Sequence, residues 1–285
     1  MSTPRAPAPV RIARYLYAGT IRHGRPDGDA FVRWSAPPWE GGRETGERDP
    51  LEASRLLVPV QPSKIVCVGL NYRAHIAESA TVLPDRQEQP SEPLLFLKPP
   101  SALVASGEAI RYPAGVERLD PEAELAVVIG RRARHVAEER ALEHVAGYTA
   151  FDDVSARNYQ RRDGQWTRAK GFDTFAPLGP WLAVGLEAGD LAVQCRVNGA
   201  VRQSARTSDL LFPVPVLVSF ISRIMTLEPG DVIATGTPAG VAPIEPGDVV
   251  EVEVEGVGVL VNRVEDARGP ARPAPRTVAR TADIG

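Results

Sequence analysis

The sequence predicts an α+β fold built mainly from β-strands, and three observations carry that prediction. Short β-branched apolar runs such as KIVCVGL, ELAVVIG and GVGVLVN recur along the chain and stop at turn residues. Turn formers are dense, with 25 Gly and 27 Pro in 285 residues, and few stretches keep a helical period. Strands and helices do not alternate regularly, as they would in a doubly wound parallel sheet.

Each element has its own justification. Residues 1–62 predict a small N-terminal β unit, with strands at IARYLYAGT and AFVRWS separated by the turn-rich HGRPDGD and followed by the polar loop APPWEGGRETGERDP. Residues 63–266 form the main body. KIVCVGL is a buried strand whose Gly69 hands over to a short helix, NYRAHIAESA. LLFLKPP is a strand stopped by two prolines, and ELAVVIG and GYTAFDDV are strands around a helix, EERALEHVA. AVQCRVNGAVRQ predicts a hairpin turning at Asn198-Gly199, a pair suited to two positive φ angles. PVPVLVSFISRIMTL predicts a mostly apolar helix, and LEPGDVIATGTPAG and IEPGDVVEVEVEGVGVLVN repeat a turn–strand cadence. Residues 267–285 have almost no large apolar side chain and predict a disordered tail rich in Pro, Ala and Arg.

Composition narrows the function. Apolar residues make up 43% and charged residues 24%, the proportions of an ordinary globular protein. A net charge of −3 gives no basis for binding nucleic acid or an anionic membrane. No run approaches the roughly 18 apolar residues of a membrane span, and the N-terminus has no apolar core of a signal peptide. Cys67 and Cys195 sit in apolar strand-like segments and are expected to be core thiols, so the expectation is a cytoplasmic protein. Lysine is scarce, only Lys64, Lys98 and Lys170 among 33 basic residues. A lysine is a compact charge with a tunable pKa, which singles out Lys98 and Lys170.

The chemistry gathers around LDPEAELAVVIG. Asp120, Glu122 and Glu124 occupy alternate positions, so on one strand they share a face that continues as Ala126 and Val128. The strand is apolar on both faces beyond them, which predicts burial. Two carboxylates about 4 Å apart repel by roughly 4 kcal/mol at an effective dielectric of 20. Protonation, an arginine partner or a bound cation would each relieve that. Arg131 and Arg132 lie at the far end of the strand, which favours a hard divalent cation with oxygen ligands. For E-x-E alone, an acidic strand end lying in solvent is the better explanation. FDDVSARNYQ tips the balance with a second acidic strand end, where Asp152 and Asp153 point to opposite faces and one of them can join the cluster. In NYRAHIAE, His75 and Glu78 stand three apart on a predicted helix, so a carboxylate can set the imidazole tautomer and leave a base near neutral pH. His135 and Glu138 share the spacing without the strand-end context, while His23 in a turn and His144 late in a helix are expected to be structural or exposed.

GLNYRAHIAE, LLFLKPP, EAELAVVIG, FDDVSARNYQ, RAKGFDTFAPLGPW, VNGAVRQ and TGTPAGV, in this order, resemble the fumarylacetoacetate hydrolase family over roughly residues 63 to 265. The likeness is to its smaller bacterial branch, often labelled 2-hydroxyhepta-2,4-diene-1,7-dioate isomerase. The resemblance implies a rolled, mixed β-sheet body with a metal site at its mouth, usually in a homodimer. It implies Glu122, Glu124 and Asp153 as ligands of Mg²⁺ or Mn²⁺, with Ca²⁺ a further candidate. His75 and Glu78 would be the water-activating dyad on a mobile lid and Lys170 a catalytic lysine facing the substrate. Arg157, Gln160 and Thr237 would contact the substrate, and Lys98 would be an ion-pair partner. Asp120 falls outside the ligand motif and is expected at the solvent end of the acid row. Position 70 is Leu where some acylpyruvate-cleaving relatives carry arginine. The implied reaction is hydrolysis of a C–C bond in an acylpyruvate or β-diketo acid through a metal-bound enolate. The alternative is isomerisation or decarboxylation of a 2-oxo-dienedioate in aromatic catabolism.

Overall fold

The computed structural model describes residues 8–79 and 89–267. The expected tail from 268 onward lies outside the described residues; Ala267 itself ends a strand. The N-terminal strands are β1 (Val10–Tyr17), β2 (Thr20–Asp27), β3 (Ala30–Trp34), β4 (Glu44–Pro50) and β5 (Arg55–Leu57). Two of these correct the sequence expectation. HGRPDGD lies mostly in β2, which carries His23, and the expected polar loop contains β4. Salt bridges across the strands replace the apolar signal there: Arg25 pairs with Glu44, and Arg48 with Asp27.

The main body continues with β6 (Ile65–Gly69), α1 (Arg73–Ser79), β7 (Leu94–Lys98), β8 (Leu103–Val104), β9 (Ala109–Pro113), β10 (Leu119–Asp120) and β11 (Ala123–Ile129). Next come β12 (Val145–Asp152), β13 (Ser155–Ala156), α2 (Arg157–Asp163), α3 (Thr167–Lys170) and β14 (Ala176–Val184). The chain ends in β15 (Ala192–Val197), β16 (Ala200–Arg206), α4 (Val214–Ile224), β17 (Val232–Ala234), β18 (Val249–Val254) and β19 (Gly258–Ala267). EERALEHVA forms a 3-10 segment, Glu138–His144, where an α-helix was expected. Of its side chains only Ala141 is buried, so no apolar stripe draws it into a longer helix.

The long sheet runs β4-β3-β2-β1-β14-β12-β11-β17-β6-β7, with β5 on β1 and β8 on β14. The N-terminal strands thus join the body through β1 and β14, paired antiparallel from Val10 opposite Val184. A second sheet, β16-β15-β18-β19-β9, packs against the middle of the first. Its strands alternate strictly: Val193, Cys195, Val197, Val250, Val252 and Val254 face inward, while Arg196 pairs outward with Glu251 and Glu253. β15 and β16 turn at Asn198 (φ 51°) and Gly199 (φ 78°), both in the left-handed region.

β11 sits near the centre and is buried along its whole length. Leu125, Val127 and Ile129 enter the core between the sheets, where Val214, Leu217, Val218 and Ile221 of α4 also pack. Ala126 and Val128 face a second cluster with Cys67, Phe151 and Val232. A strand held on both faces is a rigid mount, and the acidic residues lie at its N-terminal end.

Candidate active site

Pro121 and Glu122 interrupt the predicted acidic strand, so Asp120 belongs to a two-residue pairing of β10 with β13 and Glu124 to β11. β11 pairs β12 with Glu124 opposite Phe151, which brings the end of β12 alongside Glu122. The backbone N–H of Asp153 donates to Glu122 O at 2.9 Å, and Glu122 N–H donates to Asp152 Oδ1 at 2.8 Å. Glu122, Glu124 and Asp153 are all buried, and each offers a carboxylate oxygen within 4.8 Å of the others.

Buried cations hold this cluster. Lys170 Nζ donates to Glu122 Oε2 and Asp153 Oδ2, each at 2.6 Å, and Lys98 Nζ donates to Asp153 Oδ1 at 2.5 Å. Lys98 is therefore an ion-pair partner, placed by β7. Arg157 Nη2 donates to Glu122 Oε1 at 2.5 Å, its Nη1 to Gln160 Oε1 at 2.8 Å and its Nε to Asp120 Oδ2 at 2.8 Å. Asp120 is fully buried, which corrects its expected place in solvent: it accepts both Arg157 and Arg118. The strand pattern could not show this, because the arginine that buries Asp120 lies on α2.

Around the site five buried carboxylates, Asp120, Glu122, Glu124, Asp152 and Asp153, face three buried cations, Lys98, Arg157 and Lys170. Burial pushes the Glu122 carboxyl up, but Lys170 and Arg157 outweigh it and hold the group well below the usual range. Among the described residues, Glu124 accepts one hydrogen bond, from the Gly236 N–H at 2.7 Å. Burial, reinforced by Asp153 and Glu122, pushes its carboxyl well above the usual range. Burial likewise pushes Asp152 up to about 7. Lys170 is held above its ordinary value because Asp153 and Glu122 outweigh its burial. Among the described residues no cationic side chain pairs with Glu124, and an all-oxygen set of three carboxylates fits a hard divalent cation.

α1 brings His75 and Glu78 to the same cleft. His75 Nδ1 lies 3.4 Å from Glu78 Oε2, and the Glu78 carboxylate accepts the Gly240 N–H at 3.0 and 3.2 Å. Burial would raise the Glu78 carboxyl, but His75 and these backbone donors hold it below its ordinary value. Leu70, at φ 57°, turns the chain from β6 into α1. The fully buried Asn71 fixes that turn, donating to Thr235 O at 2.7 Å and Phe212 O at 3.1 Å and accepting Phe212 N–H.

The cleft has about 520 Å³ of empty space and is lined by His75, Glu78, the three carboxylates, Arg157, Gln160, Lys170 and Thr237. All nine predicted site residues thus meet in one place. Thr237 is committed: its hydroxyl donates to Ala123 O at 3.0 Å and accepts Gln203 Nε2–H at 2.7 Å. Sequence reasoning missed Asn71 and Gln203, whose polar side chains support the site from within the core, while Asp152, the other member of the acidic pair, supports it by accepting the Glu122 N–H. It also missed Phe96 and Trp166, which pack edge to face and line the cleft. Asn71 sits inside the GLNYRAH segment, so its place beside a strand end was the only signal.

The sequence profile described as fumarylacetoacetate (FAA) hydrolase C-terminal matches residues 64–265, and the profile described as Rv2993c-like, N-terminal matches residues 10–59. Protein Rv2993c of Mycobacterium tuberculosis is 48% identical over 223 residues, 77% of this chain and 82% of that protein. Mitochondrial oxaloacetate tautomerase FAHD2A of Bos taurus is 42% identical over 221 residues, 73% of this chain and 68% of that one. Among solved structures, 5-carboxymethyl-2-hydroxymuconate delta-isomerase from Mycobacterium smegmatis aligns with TM-score 0.82 at 43% identity, covering 90% of this chain and 99% of that one. Maleylpyruvate hydrolase from Sphingobium, in complex with manganese(II) and pyruvate, aligns with TM-score 0.73 at 30% identity over 90% and 99%.

Proposed function

The chain belongs to the fumarylacetoacetate hydrolase family, and from that premise we propose that it is a divalent-cation-dependent enzyme hydrolysing a C–C bond in a small acylpyruvate-like acid. The carrying observation is the meeting of a buried three-carboxylate cluster with the His75–Glu78 pair in one cleft. Glu122, Glu124 and Asp153 would hold Mg²⁺ or Mn²⁺, which supplies Lewis acidity toward the oxygens of a 2-oxo acid.

The chain's own residues do the rest. With Nδ1 turned to Glu78, the other ring nitrogen of His75 serves as the base that takes a proton from water. The resulting hydroxide adds to the acyl carbonyl, and the C–C bond breaks with its electron pair passing to the pyruvate half as an enolate. A proton returned to that carbon completes pyruvate and a carboxylic acid. Lys170 has three N–H donors and uses two on Glu122 and Asp153, so the third is free for a developing oxyanion. Gln160 spends its carbonyl on Arg157, leaving its amide N–H groups for the substrate. Arg157 and Lys170 are already paired with carboxylates, and Leu70, Phe96 and Trp166 give the cleft apolar walls. That combination suits an acyl group without a second carboxylate.

A second reading uses the same base without attacking water: enol–keto tautomerisation of a 2-oxo acid. It is supported by the tautomerase and isomerase names of relatives at 42% and 43% identity. A panel of acylpyruvates, oxaloacetate and 2-hydroxydienedioates with Mg²⁺ or Mn²⁺ separates the two. Pyruvate plus a carboxylic acid means hydrolysis, and conversion of the enol to its keto isomer, with no cleavage product, means tautomerisation. Released CO₂ would mean decarboxylation and contradict both, as would no turnover on any member. His75→Ala should retain cation binding and lose turnover.

A further inference from the structure

A second, unrelated groove lies where the N-terminal strands meet the main body. It has about 800 Å³ of empty space and is lined by Arg14, Leu16, Arg55, Leu57, Gln61 and Leu103, among others. None of its lining residues belongs to the candidate active site.

Arg14 is the unusual member. Ile12, Arg14 and Leu16 share one face of β1, away from Tyr15, which stacks on Phe31 in a small core of its own. Arg14 is only 8% exposed, yet among the described residues its one hydrogen bond is a long one, Nη1 to Val58 O at 3.4 Å. No carboxylate among the described residues lies within ion-pair distance of it. Most other arginines of these strands are paired with carboxylates: Arg22 and Arg33 with Asp49, Arg25 with Glu44, Arg48 with Asp27, Arg55 with Glu108. Arg11 is exposed to water and donates to Gly256 O at 3.3 Å, which leaves Arg14 as the buried arginine without a counter-charge among the described residues. Glu108 lines the same groove but is spent, one oxygen near Arg55 and the other accepting the Ala105 N–H.

The residues facing Arg14 do not supply the missing charge. His23 is directly opposite on β2 and Leu57 directly opposite on β5. Burial and the Arg14 charge push His23 down to about 4, so at neutral pH it is an uncharged neighbour. A guanidinium cannot escape by losing its proton, and a buried charge is tolerated only when compensated. Its planar fork matches two oxygens of a carboxylate or phosphate.

We propose that this groove binds a small oxyanion, a carboxylate or phosphate, with the Arg14 guanidinium as its principal contact and Gln61 as a further donor. Leu16, Leu57 and Leu103 would cover a short hydrocarbon portion, which favours the carboxylate source.

The test is calorimetric and thermal titration of the Mg²⁺-loaded full-length protein with succinate and, separately, inorganic phosphate, with chloride as the ionic-strength control. The wild type should show an anion-dependent rise in Tm that saturates, and Arg14→Met should weaken that binding at least tenfold while leaving turnover unchanged. Leu57→Asp places an internal carboxylate opposite Arg14 and should abolish the same response, which keeps the test valid if Arg14→Met folds poorly. A response to succinate alone identifies a carboxylate site, and one to phosphate alone a phosphate site. Equal responses in the wild type and both variants, or none beyond the chloride control, would overturn the proposal. Because turnover is not the readout, failure here is distinguishable from failure of the catalytic assignment.

Discussion

Asp120→Asn removes a charge at constant shape from a fully buried position. The carboxylate accepts Arg118 Nε at 2.8 Å, Arg118 Nη2 at 3.0 Å and Arg157 Nε at 2.8 Å. An asparagine keeps one acceptor oxygen and turns an NH₂ toward the remaining guanidinium donors. Breaking a buried pair from one side costs about 3–5 kcal/mol. Two features reduce that here. The Arg118 side chain is 41% exposed and can be hydrated, and Arg157 keeps Glu122 and Gln160. The expected loss is therefore about 2–4 kcal/mol, or roughly 4–10 °C in Tm for a chain of this size. A second effect reaches the acid cluster. Once Arg157 has lost Asp120, its charge falls on Glu122 alone and competes harder with a cation there, so Mn²⁺ should bind roughly tenfold more weakly, about 1.4 kcal/mol. Scanning calorimetry in chelator reads the first effect and isothermal titration the second. Arg118→Gln, which removes the exposed arm, should cost under about 1 kcal/mol. An Asp120→Asn protein within 0.5 kcal/mol of wild type, with unchanged Mn²⁺ affinity, would refute the reasoning.

Three further outcomes follow from the same geometry. In chelator, Glu124→Gln should be more stable than wild type at pH 7–8. Burial and its neighbours raise the folded pKa of Glu124, so its contribution is fully present below the unfolded value and lost as pH rises; the gain should be at least about 1 kcal/mol of the roughly 3–4 available per carboxylate pair at 4.8 Å. A Glu124→Gln protein no more stable than wild type would sink that estimate. His23 has its folded pKa depressed from 6.5 to about 4, so stability present above pH 6.5 is lost as pH falls toward 4, by no more than about 3 kcal/mol after solvent screening. His23→Gln should flatten that part of the pH–stability profile, and an unchanged slope would contradict the assignment. Gly236→Ala should destabilise by more than about 2 kcal/mol and reduce turnover, since φ is +102° and an added Cβ would lie 2.7 Å from Asn71 Cβ; a normal melting curve would show that the Asn71 turn yields easily.

The sequence was most legible where one periodicity governs. β11, β15 and β18 declare themselves because β-branched residues alternate or run unbroken, and the Asn198-Gly199 turn because its backbone conformation demands those residues. The site's ligands were legible for an electrostatic reason: acids at the head of an apolar strand need an explanation. Their compensation was not. Arg157 and Lys170 lie on short helices 35 and 48 residues from Glu122, and no local pattern announces which cation a fold brings to which acid. The same blindness put Asp120 in solvent. β2 and β4 were missed because Arg–Asp and Arg–Glu pairs replace apolar side chains on their exposed faces, leaving a sequence that reads as turn and loop.

Direct calorimetric titration of the chelator-stripped protein with Mn²⁺ tests whether Glu122, Glu124 and Asp153 form one divalent-cation site. The wild type should bind one Mn²⁺ per chain, and Glu124→Gln should give a folded protein whose affinity falls roughly a hundredfold, about 2.7 kcal/mol. Equal stoichiometry and affinity in the two proteins would place the cation elsewhere and contradict that assignment.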